Sequence, residues 1–175
     1  MKAVFLDRDG TIIVEPPGER LQYEKDIQFF AETVPALKLL QDNDFTLIMV
    51  TNQAGVGEGL ISFERFEELE AEVERRLAKQ GVNFEKVCVC PHAAADGCEC
   101  RKPSPKLILD TAKEFAVNLA NSFMVGDNLS DIGAGQNAGT KTILVKTGVH
   151  DVEAPEATFT AQNLLEAAHY IVEHS

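Results

Sequence analysis

Five short apolar runs constrain this chain most: KAVFLD (Lys2–Asp7), FTLIMVTN (Phe45–Asn52), KVCVC (Lys86–Cys90), SFMVGD (Ser122–Asp127) and KTILVKTG (Lys141–Gly148). Each is rich in Val, Ile, Leu or Phe and bounded by polar residues or glycine, which is how a strand reads when both faces are buried. Between them the apolar positions recur with helical spacing over Val34–Asn43, Ser62–Gln80, Ser104–Val117 and Asp131–Ala138, with a last such stretch over Ala161–Glu173. Ser62 is the expected N-cap of the second, with an incomplete capping box behind it. Strands alternating with helices connect by right-handed crossovers, so the expected fold is α/β. It is a doubly wound, Rossmann-like parallel sheet with helices on both faces, in a single domain over residues 1–175.

In such a sheet ligands bind just beyond the carboxyl ends of the strands. The residues expected there are Asp7 and Asp9, Thr51 and Asn52, Cys90, and Gly126 and Asp127. DRDGT (Asp7–Thr11) sets two carboxylates two residues apart at a strand end, and GDNLSD brings Asp127 and Asp131 from another. One Asp at a strand end is usually a turn or cap residue. Several acidic strand ends converging on one edge repel one another, and a hard divalent cation such as Mg²⁺ is the simplest way to keep them ionised. Lys102 is available to neutralise the remaining charge or to hold a phosphate. A metal-bound carboxylate with a second carboxyl beside it suits phosphoryl transfer, with Asp7 attacking phosphorus and Asp9 protonating the leaving oxygen and later activating water. Thr51 and Lys102 would then hold the oxygens of the transferred group.

Asp and Glu outnumber Lys and Arg by 28 to 16, a net charge of −12. A body this acidic repels nucleic acid and anionic membrane, so neither is an expected partner, and an anionic substrate needs cations concentrated at its site. The first apolar run meets Asp-Arg-Asp at once, unlike a signal peptide, and no run is long enough to span a bilayer. The expectation is a cytoplasmic monomer acting on a small phosphorylated metabolite.

All four cysteines and one of four histidines fall in CVCPHAAADGCECRKP (Cys88–Pro103). A reducing cytosol disfavours disulfides, and Cys-x-x-Cys, the usual redox spacing, is absent. Cys90 with His92, and Cys98 with Cys100, are pairs two apart that point to one side of extended chain, joined by the turn Ala93–Gly97. Three thiolates and an imidazole match a closed structural Zn²⁺ site; the alternative on spacing alone is reduced, merely packed thiols. Cys88 reads as a core thiol, and His150, His169 and His174 as surface or helix-end residues.

Taken in order, DRDGT, VTNQ, RKP and GDNLSD resemble the four motifs of the haloacid dehalogenase superfamily over nearly the whole chain. The resemblance implies that Asp7 is a nucleophile forming an aspartyl-phosphate and that Asp9 is the acid/base. It also implies Mg²⁺ held by Asp7, by the backbone carbonyl of Asp9 and by Asp127, with Thr51, Asn52, Arg101 and Lys102 binding phosphate or substrate. Asp at position 9 resembles the phosphatase members. The cysteine segment is similar to the zinc loop of the subgroup containing heptose bisphosphate and histidinol-phosphate phosphatases, which implies Cys90, His92, Cys98 and Cys100 as zinc ligands. The stand-alone chain, TNQAGVGEG and LVKTG favour the heptose enzymes, acting on D-glycero-D-manno-heptose 1,7-bisphosphate; EPP, the short zinc-loop turn and KPSPKL resemble the histidinol-phosphate enzymes. Neither inter-motif gap leaves room for a large cap domain, so the expected walls of the site are VEPPGERLQYE, AGVGEG and the zinc loop.

Two non-enzymatic readings compete. A phospho-receiver domain would carry its phosphorylated Asp on the third strand, which here ends in Cys90, and a zinc module for protein binding would leave Asp7, Asp9, Thr51 and Asp127 without a role.

Overall fold

Six strands form one parallel sheet in the order β3-β2-β1-β4-β5-β6: β1 (Lys2–Leu6), β2 (Phe45–Asn52), β3 (Lys86–Cys90), β4 (Phe123–Gly126), β5 (Lys141–Val145) and β6 (Phe159–Ala161). The structure, a computed structural model, describes residues 1–16, 18 and 21–175. The helices are α1 (Thr33–Asp42), α2 (Ala54–Gly57), α3 (Phe63–Ala78), α4 (Lys106–Glu114), α5 (Leu129–Ala138) and α6 (Leu164–Glu173). The doubly wound expectation holds.

The apolar runs are continuous because each strand serves two cores. Val4 and Leu6 of β1 join Met49 and Val125 in a core closed by α1, α3 and α6, while Ala3 and Phe5 join Val50 and Met124 in a second one closed by Ile108 of α4 and Ala134 of α5. A polar residue at any of these positions would need a partner inside a core. None of the helices among the described residues is long and apolar enough to cross a membrane.

Strand order reverses at β1, which pairs with β2 on one side and β4 on the other. The crevice of such a sheet opens at that switch point, and the register fixes what stands in it. Leu6 lies opposite Val125, and Asp7 N donates to Val125 O at 2.9 Å, so the acidic ends of β1 and β4 emerge side by side.

The last strand and the last helix differ from the sequence reading. Phe159–Ala161 is β6, pairing with Ile143–Val145, and the helix begins only at Leu164, where Asn163 Oδ1 accepts from Glu166 N at 3.0 Å. Three residues are too few to show strand alternation, whereas the Asn cap starts the helix. Elsewhere the caps agree with the reading: Ser62 Oγ accepts from Arg65 N at 3.1 Å. Asn128 and Asp131 close a reciprocal capping box that starts α5 two residues before the expected Asp131. The expected wall VEPPGERLQYE includes Pro17, Glu19 and Arg20, which lie outside the described residues; its Glu15 borders the site.

Candidate active site

Three carboxylates meet at the switch point. Asp7 follows β1, Asp127 follows β4 and Asp131 lies in the first turn of α5, each offering an oxygen within 4.8 Å of the others. Lys102 lies among them, with Nζ 2.7 Å from Asp7 Oδ1, 2.6 Å from Asp131 Oδ1 and 2.7 Å from the Val50 carbonyl oxygen. An ammonium has three protons, so its donors are fully engaged in holding the cluster. Of the two roles that sequence reasoning left open for Lys102, neutralising charge or holding a phosphate, the first matches its pairing with Asp7 and Asp131.

One ammonium does not balance three carboxylates. Burial pushes the Asp7 carboxyl up to about 7, with Asp131 and Asp9 raising it and Lys102 opposing. Asp127 is pushed up to about 9 by burial and by its neighbours Asp7, Asp131 and Glu15. Burial lowers Lys102, but Asp131 and Asp7 more than reverse this, so its ammonium stays charged. Gly148, from the loop after β5, lies so close over Asp127 that a Cβ there would run into the carboxylate. An oxygen-only donor set with surplus negative charge under a closed backbone fits a hard divalent cation such as Mg²⁺.

The raised carboxyls give a linkage with a definite sign. Between the ordinary carboxylate range and about 7 for Asp7, or about 9 for Asp127, the metal-free folded protein binds protons that the unfolded chain has released. Metal-free stability therefore falls as pH rises through that window. A bound divalent cation displaces those protons. Adding Mg²⁺ at pH 8 is expected to release protons, seen as a dependence of calorimetric binding heat on buffer ionisation enthalpy. It is also expected to raise Tm more at pH 8 than at pH 6; an equal shift at both would contradict the raised carboxyls.

Asp9 faces the same pocket but stands apart from the cluster. Its Oδ1 accepts from Arg8 Nε at 3.1 Å, and its Oδ2 from Arg8 Nη2 at 3.0 Å and Gln53 Nε2 at 2.7 Å. Thr51 is buried beneath the floor, its hydroxyl accepting from Gln53 Nε2 at 2.8 Å, and does not line the pocket. Asn52 does line it and clasps the Lys102 backbone: its Oδ1 accepts from Lys102 N at 3.0 Å and its Nδ2 donates to Lys102 O at 3.2 Å. Arg101 lines the rim with Nη1 3.5 Å from the His92 carbonyl oxygen. Glu15, Asn128, Ser130 and His150 complete the lining.

Asp131, expected beside Asp127 from GDNLSD, does join Asp7 and Asp127; that it shares Lys102 with Asp7 was not read from sequence. Arg8 and Gln53 lie inside DRDGT and VTNQ with no role read for them, and Glu70, far from every motif, carried no signal. His150, read as a surface residue, is exposed but borders the pocket. The AGVGEG segment is not among the lining residues: it forms the short helix α2, whose Gly57 lies against the backbone of Pro91–Ala93.

The cysteine loop forms a second, separate cluster. Sγ of Cys90 lies 3.5 Å from Cys98 and 3.1 Å from Cys100, those two are 3.7 Å apart, and His92 Nδ1 is 3.7 Å from Cys90 and 3.3 Å from Cys100. A tetrahedral zinc site with Zn–S bonds of about 2.3 Å has ligand–ligand edges of roughly 3.7 Å, so this set fits Zn²⁺ without a place for water. Burial and hydrogen bonding to Cys100 push the Cys90 thiol up to about 12. At Cys98 burial raises the thiol, but hydrogen bonds from Cys90 and from the Arg101 and Cys100 amides draw it down to about 7. Between the arms, Asp96 Oδ2 accepts from Ala93 N at 2.8 Å and Gly97 turns with φ +62. Cys88 lies in the second core with Sγ 3.1 Å from Thr111 Oγ1, as a packed thiol.

Comparison with known proteins places this arrangement. A family model described as HAD-hydrolase-like matches residues 99–168. The D-glycero-beta-D-manno-heptose-1,7-bisphosphate 7-phosphatase of Vibrio cholerae serotype O1 is 38% identical over 180 residues, covering 97% of this chain and 96% of that protein. The chain belongs to the haloacid dehalogenase-like phosphatases. A Helicobacter pylori (strain J99) protein of the same name is 36% identical to this phosphatase, covering 97% of both chains. A crystal structure of D,D-heptose 1,7-bisphosphate phosphatase from B. bronchiseptica, complexed with magnesium and phosphate, superposes on it with a TM-score of 0.91 at 30% identity, covering 100% of both.

Proposed function

We propose that this phosphatase removes the 7-phosphate of D-glycero-D-manno-heptose 1,7-bisphosphate through an aspartyl-phosphate on Asp7. The observation that carries the substrate is the likeness over 97% of the chain to relatives bearing that name. The clustering of Asp7, Asp127 and Asp131, with Lys102 bridging Asp7 and Asp131, supports the chemistry. Mg²⁺ held by Asp7, Asp127 and Asp131, with the Asp9 main-chain carbonyl, would supply the positive charge that lets an anionic phosphate approach an anionic nucleophile. Zn²⁺ held by Cys90, His92, Cys98 and Cys100 would be structural.

The remaining work falls to side chains of the protein. Lys102 fixes the Asp7 carboxylate and favours its ionised form against burial. A carboxylate oxygen of Asp7 attacks phosphorus, the bond from phosphorus to the ester oxygen breaks, and that oxygen takes the proton of Asp9. Asp9, now a carboxylate, removes a proton from water as the water oxygen attacks phosphorus, and inorganic phosphate leaves with Asp7 restored. Arg101 and Asn52, which line the pocket, are the groups placed to meet the oxygens of the substrate, and Thr51 holds Gln53, which in turn holds Asp9.

The test is a phosphate-release comparison of heptose 1,7-bisphosphate with histidinol phosphate, each with Mg²⁺ and again after chelation. The expected result is a higher kcat/KM for the heptose bisphosphate and loss of release on chelation; a preference for histidinol phosphate would move the assignment to the other zinc-loop branch.

A further inference from the structure

The cation nearest Asp9 is not a substrate-binding residue. Arg8 is only 1% exposed and does not line the pocket; its guanidinium lies against α3, with Cζ 5.7 Å from the Phe66 ring centre. It grips both oxygens of Asp9 through Nε and Nη2, and its remaining arm donates from Nη1 to Glu70 Oε2 at 2.8 Å. Glu70 lies on the inner face of α3 and is itself buried, far in sequence from either motif residue. Burial raises its carboxyl, and Arg8 opposes that shift.

A buried Arg–Glu pair is a poor way to add stability, because desolvation of both ions offsets much of their attraction and an apolar pair of similar volume does as well. The pair therefore calls for another role, and its geometry supplies one. The guanidinium is a planar fork, so anchoring one arm on Glu70 fixes the plane in which the other two nitrogens meet Asp9. We propose that Arg8, braced by Glu70, is a positioning residue that orients the Asp9 carboxyl for proton transfer to the leaving oxygen. Gln53 completes the orientation at Oδ2. The inference rests on the reading of Asp9 as the acid/base.

Positioning and structure are separated by the leaving group. An alkoxide leaving from a sugar phosphate needs the proton of Asp9, whereas p-nitrophenolate leaves without one. The variant of choice is Arg8→Met with Glu70→Met, which removes the brace and keeps an apolar packing volume; Glu70→Gln, nearly isosteric, is the milder companion should the pair fail to fold. Folding is monitored by thermal unfolding. Losing the orientation is expected to lower steady-state turnover of the heptose bisphosphate by about 10- to 100-fold. The pre-steady-state burst of p-nitrophenolate from p-nitrophenyl phosphate is expected to keep the wild-type rate, with Glu70→Gln intermediate on the sugar phosphate alone. Equal losses on both substrates, or unchanged sugar-phosphate turnover, would overturn the proposal. Asp9→Asn, run alongside, tests the underlying reading: it should abolish sugar-phosphate turnover and spare the burst. Full activity in that variant would remove the acid/base role itself, independently of Arg8.

Discussion

Asp7→Asn is expected to abolish phosphate release while leaving a folded protein. The amide keeps the shape of the carboxyl, and Lys102 retains Asp131 and the Val50 carbonyl as partners, so no buried cation is left alone. Removing one of three crowded carboxylates also relieves the repulsion that raises Asp127. Thermal stability without metal should therefore equal or exceed that of the parent. An amide oxygen is a poor nucleophile and does not form an acyl phosphate, so turnover should fall by at least about 10⁴-fold, as when a covalent nucleophile is removed from other enzymes. The measurement is phosphate release with unfolding followed in parallel. An active, folded Asp7→Asn protein would exclude Asp7 as the nucleophile.

The second large effect is expected from Cys98→Ser. Cys98 contributes the thiol whose surroundings already favour the thiolate at about 7, and its Sγ lies within 3.7 Å of both other sulfurs. A serine hydroxyl does not ionise near neutral pH and is a harder ligand, so the set loses one of its four donors. Zinc content is expected to fall well below one per chain. If the lost binding energy is about 3 kcal/mol, Tm drops by roughly 10 °C for a chain of this size. Activity should fall as well, because Arg101 and Lys102 follow Cys100 directly and Lys102 is held in place by Asn52. Metal analysis checks the first effect and calorimetry the second; zinc retained at one per chain would contradict the ligand set.

The sequence made the strands and the acidic strand ends legible because burial on both faces leaves little freedom in residue choice. Val4, Leu6, Ala3 and Phe5 must all be apolar, since they alternate between two cores. Asp7 and Asp127 were legible because a strand end is a fixed address once the sheet is known. The cysteine cluster was legible because its four donors lie within eleven residues, Cys90 to Cys100. What remained hidden were relations between distant residues. That Lys102 is divided between Asp7 and Asp131, that Thr51 lies below the floor, and that Glu70 reaches Arg8 from α3 depend on how α3, α5 and the cysteine loop pack, and no local pattern records this. β6 was missed for another reason: three residues carry too little periodicity, and its place is set by β5 beside it.

The most direct test of the account follows heptose 1,7-bisphosphate by ³¹P NMR in the presence of Mg²⁺ and the wild-type protein. One equivalent of inorganic phosphate should appear as the resonance of the 7-phosphate disappears, while that of the anomeric phosphate persists. Persistence of both ester resonances, or loss of the anomeric one first, would contradict it.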